Sequence, residues 1–199
     1  MTYDYENEFR SKGYNVICGI DEAGRGPLAG PVFAAAVILP DGLEDIGLND
    51  SKKLTEKKRD VLFDVIKEKS VAYGIGSASE KEIDEINILN ATFLAMKRAV
   101  KALGITPDLA LVDGNRKPKT GIYEETIVKG DAKCISIAAA SVLAKVSRDR
   151  YLFELDKQYP EYQFAKHKGY PTALHYEMIK KYGVSHVHRL SFLKNLNEK

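Results

Sequence analysis

One stretch constrains this chain more than any other: Val16-Ile17-Cys18-Gly19-Ile20-Asp21-Glu22-Ala23-Gly24-Arg25-Gly26-Pro27-Leu28-Ala29-Gly30-Pro31. Its apolar start reads as a buried strand. Two carboxylates, Asp21 and Glu22, follow directly. A charge at the edge of a core is costly unless it is paired, and a bound cation would remove that cost. Gly24 and Gly26 let the backbone approach a ligand closely. Arg25 between them offers planar donors suited to phosphate.

The design repeats further on. Leu109-Ala110-Leu111-Val112 is a second apolar strand that delivers a carboxylate, Asp113, into a turn at Gly114. Asp131 follows Lys129-Gly130, after a short strand over Ile122 to Val128 and before the longest predicted helix. That helix runs from about Cys134 to near Tyr159, where Pro160 stops it. Between these landmarks, Val32 to Leu39 reads as a strand closed by Pro40-Asp41-Gly42. The short connection from the first strand favours an antiparallel pair. Its Ala34-Ala35-Ala36 run suggests a helix or a neighbouring backbone packed close by.

Thr55 is a plausible helix N-cap. Val71 to Ile75 reads as a third early strand, with Gly74 and Gly76 marking close approach or an edge. Ser79 and Glu82 fit a capping box. A helix from about Ile88 carries Phe93, Met96, Val100 and Leu103 at helical spacing, as core. Thr172 caps a last helix that ends at Gly183. Residues before Gly13 read as a lead-in without clear structure. Strands come first and then mix with helices, so the class is α/β with a mixed sheet.

The length, 199 residues, suits one domain with a sizeable core. The net charge is only +2, so global charge says little about partners. From Asp131 onward there are twelve Lys/Arg against seven Asp/Glu, and all four histidines lie there. Such a basic third suits a polyanion held beside an acidic site. The two cysteines, Cys18 and Cys134, sit in apolar surroundings and read as small buried hydrophobes in a reducing compartment. No apolar run is long enough to span a membrane, and the polar N-terminus is not a secretory signal. A cytoplasmic, monomeric protein is expected.

Asp21, Glu22, Asp113 and Asp131 therefore form the candidate site. If their strands are neighbours, the four carboxylates meet at one edge of the sheet and repel one another. Hard divalent cations relieve that repulsion. An all-oxygen donor set favours Mg²⁺ or Mn²⁺ over Zn²⁺. Two such ions about 4 Å apart clamp an in-line displacement at phosphorus. The implied reaction is phosphodiester hydrolysis with water as nucleophile, leaving a 3′-hydroxyl and a 5′-phosphate. Arg25, Lys52, Lys53, Arg148 and Lys168 are candidate phosphate contacts. Tyr170, in Lys168-Gly169-Tyr170-Pro171, is a candidate to stack on a sugar or base. The histidines read as packing groups or phosphate contacts, since zinc-ligand spacing is missing.

At these residues the sequence resembles bacterial ribonuclease HII, of the type 2 ribonuclease H family. The match is carried by Gly19 to Pro31 and by four further segments in the same order. These are Asp50-Ser51-Lys52-Lys53-Leu54, Val112-Asp113-Gly114-Asn115, Lys129-Gly130-Asp131 with Ile137 to Val146, and His167-Lys168-Gly169-Tyr170-Pro171-Thr172. The resemblance covers nearly the whole chain beyond about Val16, and the glycine-turn sequence favours type HII over type HIII. It implies a ribonuclease H-like fold: a five-stranded mixed sheet flanked by helices, with a core over about 16–160 and a C-terminal helical lobe over about 161–199. It implies Asp21, Glu22, Asp113 and Asp131 as the metal-binding catalytic quartet. It implies that Gly24-Arg25-Gly26 reads a 2′-hydroxyl at a ribonucleotide–deoxyribonucleotide junction, with Tyr170 on the sugar beyond. The expected substrates are the RNA strand of RNA–DNA hybrids and single ribonucleotides in duplex DNA, cut on the 5′ side. Two other readings compete: a junction-resolving nuclease of the same fold, which would not require the Gly-Arg-Gly turn, and a non-catalytic nucleic-acid-binding module. The module reading is weak, because four clustered acids oppose phosphate binding unless metals are present.

Overall fold

The structure is a computed structural model and describes residues 2–43, 47–48 and 54–194. Asp50, Lys52 and Lys53 lie outside the described residues.

Five strands form one mixed sheet: β1 (Ile17–Ala23), β2 (Val32–Ile38), β3 (Ala72–Ala78), β4 (Leu109–Asp113) and β5 (Tyr123–Ile127). Their order is β3-β2-β1-β4-β5. β1 pairs antiparallel with β2, as the short connection predicts, and parallel with β4; β4 pairs parallel with β5. The register sets Asp21 opposite Ala35, Ile20 opposite Val112, and Asp113 opposite Ile127. Asp21 and Asp113 thus follow paired positions on adjacent strands.

The helices are α1 (Asp4–Ser11), α2 (Glu56–Lys69), α3 (Glu80–Lys101), α4 (Ile135–Gln158), α5 (Phe164–His167) and α6 (Ala173–Tyr182). α3 covers one face of the sheet, where Ala91, Ala95 and Ala99 pack with Ala34, Ala36 and Ile20. α4 and α2 cover the other, where Ala139, Ala140 and Leu143 meet Ala35 and Val37. The alanine run of β2 is therefore small on both faces because a helix lies close on each. At β3 the approach is closer still: a Cβ on Gly76 would sit 2.4 Å from the Ala95 carbonyl oxygen, and one on Gly74 2.1 Å from that of Ala99. Both parts of that expectation hold, since β3 is also the edge strand.

Helix starts follow local chemistry. The Thr55 side chain accepts from the Lys58 amide, and Ser79 and Glu82 form a reciprocal capping box. The helix expected from about Ile88 is the second half of α3. Asn87 breaks the helical path with φ 67° and ψ 163°, and its side chain accepts from the Leu89 and Asn90 amides. The N-terminal lead-in is helical, and it closes a distant helix end. Buried Glu6 accepts from the Ser136 amide at 3.0 Å and the Ser136 hydroxyl at 2.6 Å, at the start of α4. Cys134, the N-cap residue, makes no side-chain cap of its own. The anion at this helix N-terminus is thus Glu6, whereas Asp131 lies earlier, in a single 3₁₀ turn over Gly130–Ala132.

Beyond Pro160 the chain packs on the second half of α4. Tyr162, Phe164, Met178 and Val187 bury Leu152, Leu155 and Ala29. The Gly24–Pro31 loop lies between this segment and the sheet. Leu28 N–H donates to the Gly169 carbonyl at 2.7 Å, and Arg189 N–H to the Leu28 carbonyl at 2.8 Å.

Candidate active site

β1 delivers Asp21 and Glu22 to opposite faces of its end, because successive side chains alternate. Asp21 is on the α4 side and buried; Glu22 is partly exposed on the α3 side. β4 ends at Asp113 between β1 and β5. The turn after β5 brings in buried Asp131, and its Gly130 N–H donates to Asp113 Oδ1 at 2.6 Å. One cavity of about 270 Å³ is lined by all four carboxylates together with Gly24, Ser141, Lys145 and Tyr170. A second, of about 240 Å³, continues from Glu22 and Asp113 past Arg25 to Asn115, Arg116 and the α3 side chains Phe93 and Met96.

The electrostatics are those of crowded acids. Burial pushes the Asp21 carboxyl well above the usual carboxylate range, and the charges of Glu22, Asp113 and Asp131 push it further. The Glu22 amide, 2.7 Å from Asp21 Oδ1, opposes them. Such a set is poorly stable without a cation and, being all oxygen, matches a hard divalent ion. Among the described residues no three side chains converge into a preformed metal cage. Mg²⁺-type sites are commonly completed by waters and substrate phosphate rather than by protein alone. An open cavity walled by four acids fits that kind of site.

The expected recognition residues divide. Arg25 is exposed, with Nη1 3.3 Å from Glu22 Oε1, so its guanidinium lies at the mouth of the site. Gly24 has φ 98°, and a Cβ there would fall 2.1 Å from Arg148 Nε. The Tyr170 ring is exposed across the cavity, with Lys145 Nζ 6.0 Å from its centroid. Lys168 sits behind it: Nζ donates to the Ala165 carbonyl at 2.7 Å and lies 3.3 Å from the Phe153 ring centroid. Burial lowers its pKa.

Arg148 corrects the sequence reading. Expected to hold phosphate, it is fully buried and donates to three carbonyls: Pro31 at 3.3 Å, Lys168 at 3.0 Å and Ala29 at 3.2 Å. Buried, with three bonds to the backbone, it ties the Gly24–Pro31 loop to the Tyr170 loop. Arg189, given no role from sequence, ties the same Gly24–Pro31 loop to the segment after α6, through the Gly24, Arg25 and Gly30 carbonyls. Lys145, which faces Tyr170 and pairs with Asp149 at 2.7 Å, was also missed. It lies one helical turn from Ser141 on α4, so the wall of the cavity is one helix face.

The mixed sheet in the order β3-β2-β1-β4-β5 thus sets acids at adjacent strand ends beside one cavity. The model of the family described as Ribonuclease HII matches residues 18–195. The chain is 60% identical over 191 residues to a ribonuclease HII of Acetivibrio thermocellus, covering 96% of this chain and 75% of that one. It is 55% identical over 194 residues to a ribonuclease HII of Caldicellulosiruptor bescii, covering 98% and 94%. Its fold matches the crystal structure of the ribonuclease H2 from Pyrococcus horikoshii OT3 with a TM-score of 0.77 and 29% identity, covering 92% of this chain and 96% of that one. The chain belongs to the ribonuclease HII family, and is accordingly a nuclease and a hydrolase.

Proposed function

We propose that the chain hydrolyses the RNA strand of RNA–DNA hybrids and incises duplex DNA 5′ of a single embedded ribonucleotide, leaving 3′-hydroxyl and 5′-phosphate ends. The observation that carries this reading is the facing arrangement of one cavity. All four carboxylates line it together with Gly24 and Tyr170; Arg25 lines the adjoining cavity, and a Cβ on Gly26 would lie 4.0 Å from the Tyr170 ring.

Asp21, Glu22, Asp113 and Asp131 would hold divalent cations, Mn²⁺ or Mg²⁺, two in the active complex. When bound, these supply activation of the attacking water and charge stabilisation at the phosphate. The chain's own groups do the rest. The exposed amides of Arg25 and Gly26 face the ribose, whose 2′-hydroxyl is what separates RNA from DNA at a site. The Arg25 guanidinium exchanges its contact with Glu22 for a phosphate oxygen. The Tyr170 ring packs on the next sugar. Lys52, Lys53 and Lys168 remain candidate phosphate contacts. The segment beyond about residue 161 serves as a lobe over the substrate groove, within one catalytic domain working as a monomer in the cytoplasm. Among the described residues no helix is long and apolar enough to cross a membrane.

The test is strand cleavage of duplex DNA carrying one ribonucleotide, with Mn²⁺ or Mg²⁺, beside an all-DNA duplex and an EDTA control. Metal-dependent cutting 5′ of the ribonucleotide, with the all-DNA duplex intact, is the expected result. Cleavage of neither duplex, nor of a long hybrid, would refute the reading in favour of a junction nuclease or a binding module.

A further inference from the structure

Arg189 is a cation without exposure: its side chain is fully buried in the C-terminal segment. The guanidinium reaches across the molecule to three carbonyl oxygens of one loop. Nη2 donates to Gly24 at 2.7 Å, Nη1 to Arg25 at 3.1 Å and Nε to Gly30 at 2.8 Å. These acceptors include two consecutive peptide units of the Gly-Arg-Gly turn.

No peptide bond in the described residues is cis. In a planar trans peptide the C=O and the following N–H point in opposite directions. Turning the Gly24 and Arg25 carbonyls inward onto Arg189 therefore turns the Arg25 and Gly26 N–H groups outward. Both residues are exposed there, and among the described residues neither amide donates to another group. Burying a cation is costly, and Glu80 and Asp84 offset that only through space, with no hydrogen bond to the Arg189 side chain among the described residues. Here the return is orientation: a guanidinium presents donors in a rigid fork, whereas a lysine presents its three from one point. On the far side of the loop Arg148 Nε fills the space a Gly24 side chain would occupy, so the turn is held between two guanidiniums.

We infer that Arg189 is a positioning residue for ribonucleotide recognition: it fixes the two peptide planes whose N–H groups read the 2′-hydroxyl. The inference rests on the hydroxyl-reading role proposed above, and it adds a determinant that never touches substrate.

The test measures affinity by fluorescence anisotropy in Mg²⁺, in an Asp113→Asn background that does not cut. Two duplexes are compared, one all-DNA and one with a single ribonucleotide. Arg189→Lys and Arg189→Gln are expected to reduce the preference for the ribonucleotide at least tenfold, with all-DNA affinity changed less than about twofold and native circular dichroism retained. A general loss of fold would lower both affinities together. Equal affinity of the Asp113→Asn protein for the two duplexes overturns the hydroxyl reading itself, and this inference with it. A preference that survives Arg189→Lys in a folded protein overturns the inference alone. Should both Arg189 variants fail to fold, amide NMR of the Asp113→Asn protein decides. The Arg25 and Gly26 amide protons should shift with the ribonucleotide duplex and not with the all-DNA duplex; their failure to do so overturns the inference.

Discussion

Three buried histidines behind Tyr170 make stability depend on pH in a direction that can be worked out. His188 Nδ1 accepts the Ser185 N–H at 3.1 Å, so its proton is on Nε2, 3.2 Å from His175 Nε2. His175 then carries its own proton on Nδ1 and donates to the Tyr170 carbonyl at 3.0 Å. His167 stacks on His175 at 4.2 Å and accepts the Gly169 N–H at 3.1 Å. A second proton on His188 or His175 would meet a donor. Burial, then neighbouring imidazoles, lower the His175 pKa from 6.5 to about 4; burial foremost does the same for His188. The unfolded chain therefore binds more protons than the native one between about pH 4 and 6.5, and stability rises with pH across that window. It is complete above about pH 6.5 and lost as pH falls toward 4. At pH 5 the loss comes to about 2 kcal/mol per histidine, or about 4 for the pair. That is a large share of a typical total of about 5–15 kcal/mol. Asp21 acts with the opposite sign, because a raised carboxyl pKa favours the native state as pH falls. The assay is urea unfolding by circular dichroism at pH 7 and pH 5, for wild type and for His175→Asn/His188→Gln. The double variant should lose about 4 kcal/mol less between the two pH values. Equal pH dependence in the two proteins, within about 0.5 kcal/mol, would refute the argument.

Three other changes have calculable consequences. Glu6→Ala removes the acceptor at the start of α4 and leaves buried donors unpaired, which should cost about 2–3 kcal/mol and lower the melting temperature by about 5–10 °C; a shift below about 1 °C in a thermal melt would count against it. Gly24→Ala places a methyl 2.1 Å from Arg148 Nε at φ 98° and should displace the turn, with cleavage at a single ribonucleotide falling about 100-fold. Unchanged kcat/KM on that substrate would show that the loop yields freely. Asp113→Asn keeps an oxygen acceptor for the Gly130 N–H while removing one charge of the proposed metal site, so cleavage should drop by at least about 1000-fold while the native circular dichroism spectrum is retained. Substantial Mn²⁺-dependent turnover by this variant would exclude a required ligand role.

What was legible in the sequence was local. Apolar runs that end in Asp21-Glu22 and Asp113 reveal strands and acids together, since both parts of the signal sit within a few residues. Ser79 and Glu82 disclose a helix start for the same reason. The break at Asn87 explains why the second half of α3 reads as a helix of its own. What was not legible depends on partners remote in sequence. Arg148 looks like a surface cation on a helix, but its acceptor Ala29 lies 119 residues away. Arg189 resembles part of a basic tail, but Gly24 is 165 residues away. Glu6 caps a residue 130 positions later. Composition offers no hint of such contacts, because the acceptors are backbone carbonyls, which every residue carries.

Glu80 acts on both arginines through space, but the hydrogen bonds of their guanidiniums go to carbonyls. A carboxylate would satisfy a guanidinium and leave the surrounding backbone unconstrained. Six carbonyls, taken from Ala29, Pro31, Lys168, Gly24, Arg25 and Gly30, instead convert each donor into a fixed peptide plane. The acids are fixed differently, by strand register, at the ends of β1 and β4. α4 joins the two systems: its first turns pack against the sheet, and its Arg148 reaches the recognition loops. The carboxylates and the glycine turn thus draw on separate supports joined by one helix. Weakening the arginine supports should blur the choice of substrate while leaving the carboxylate site intact.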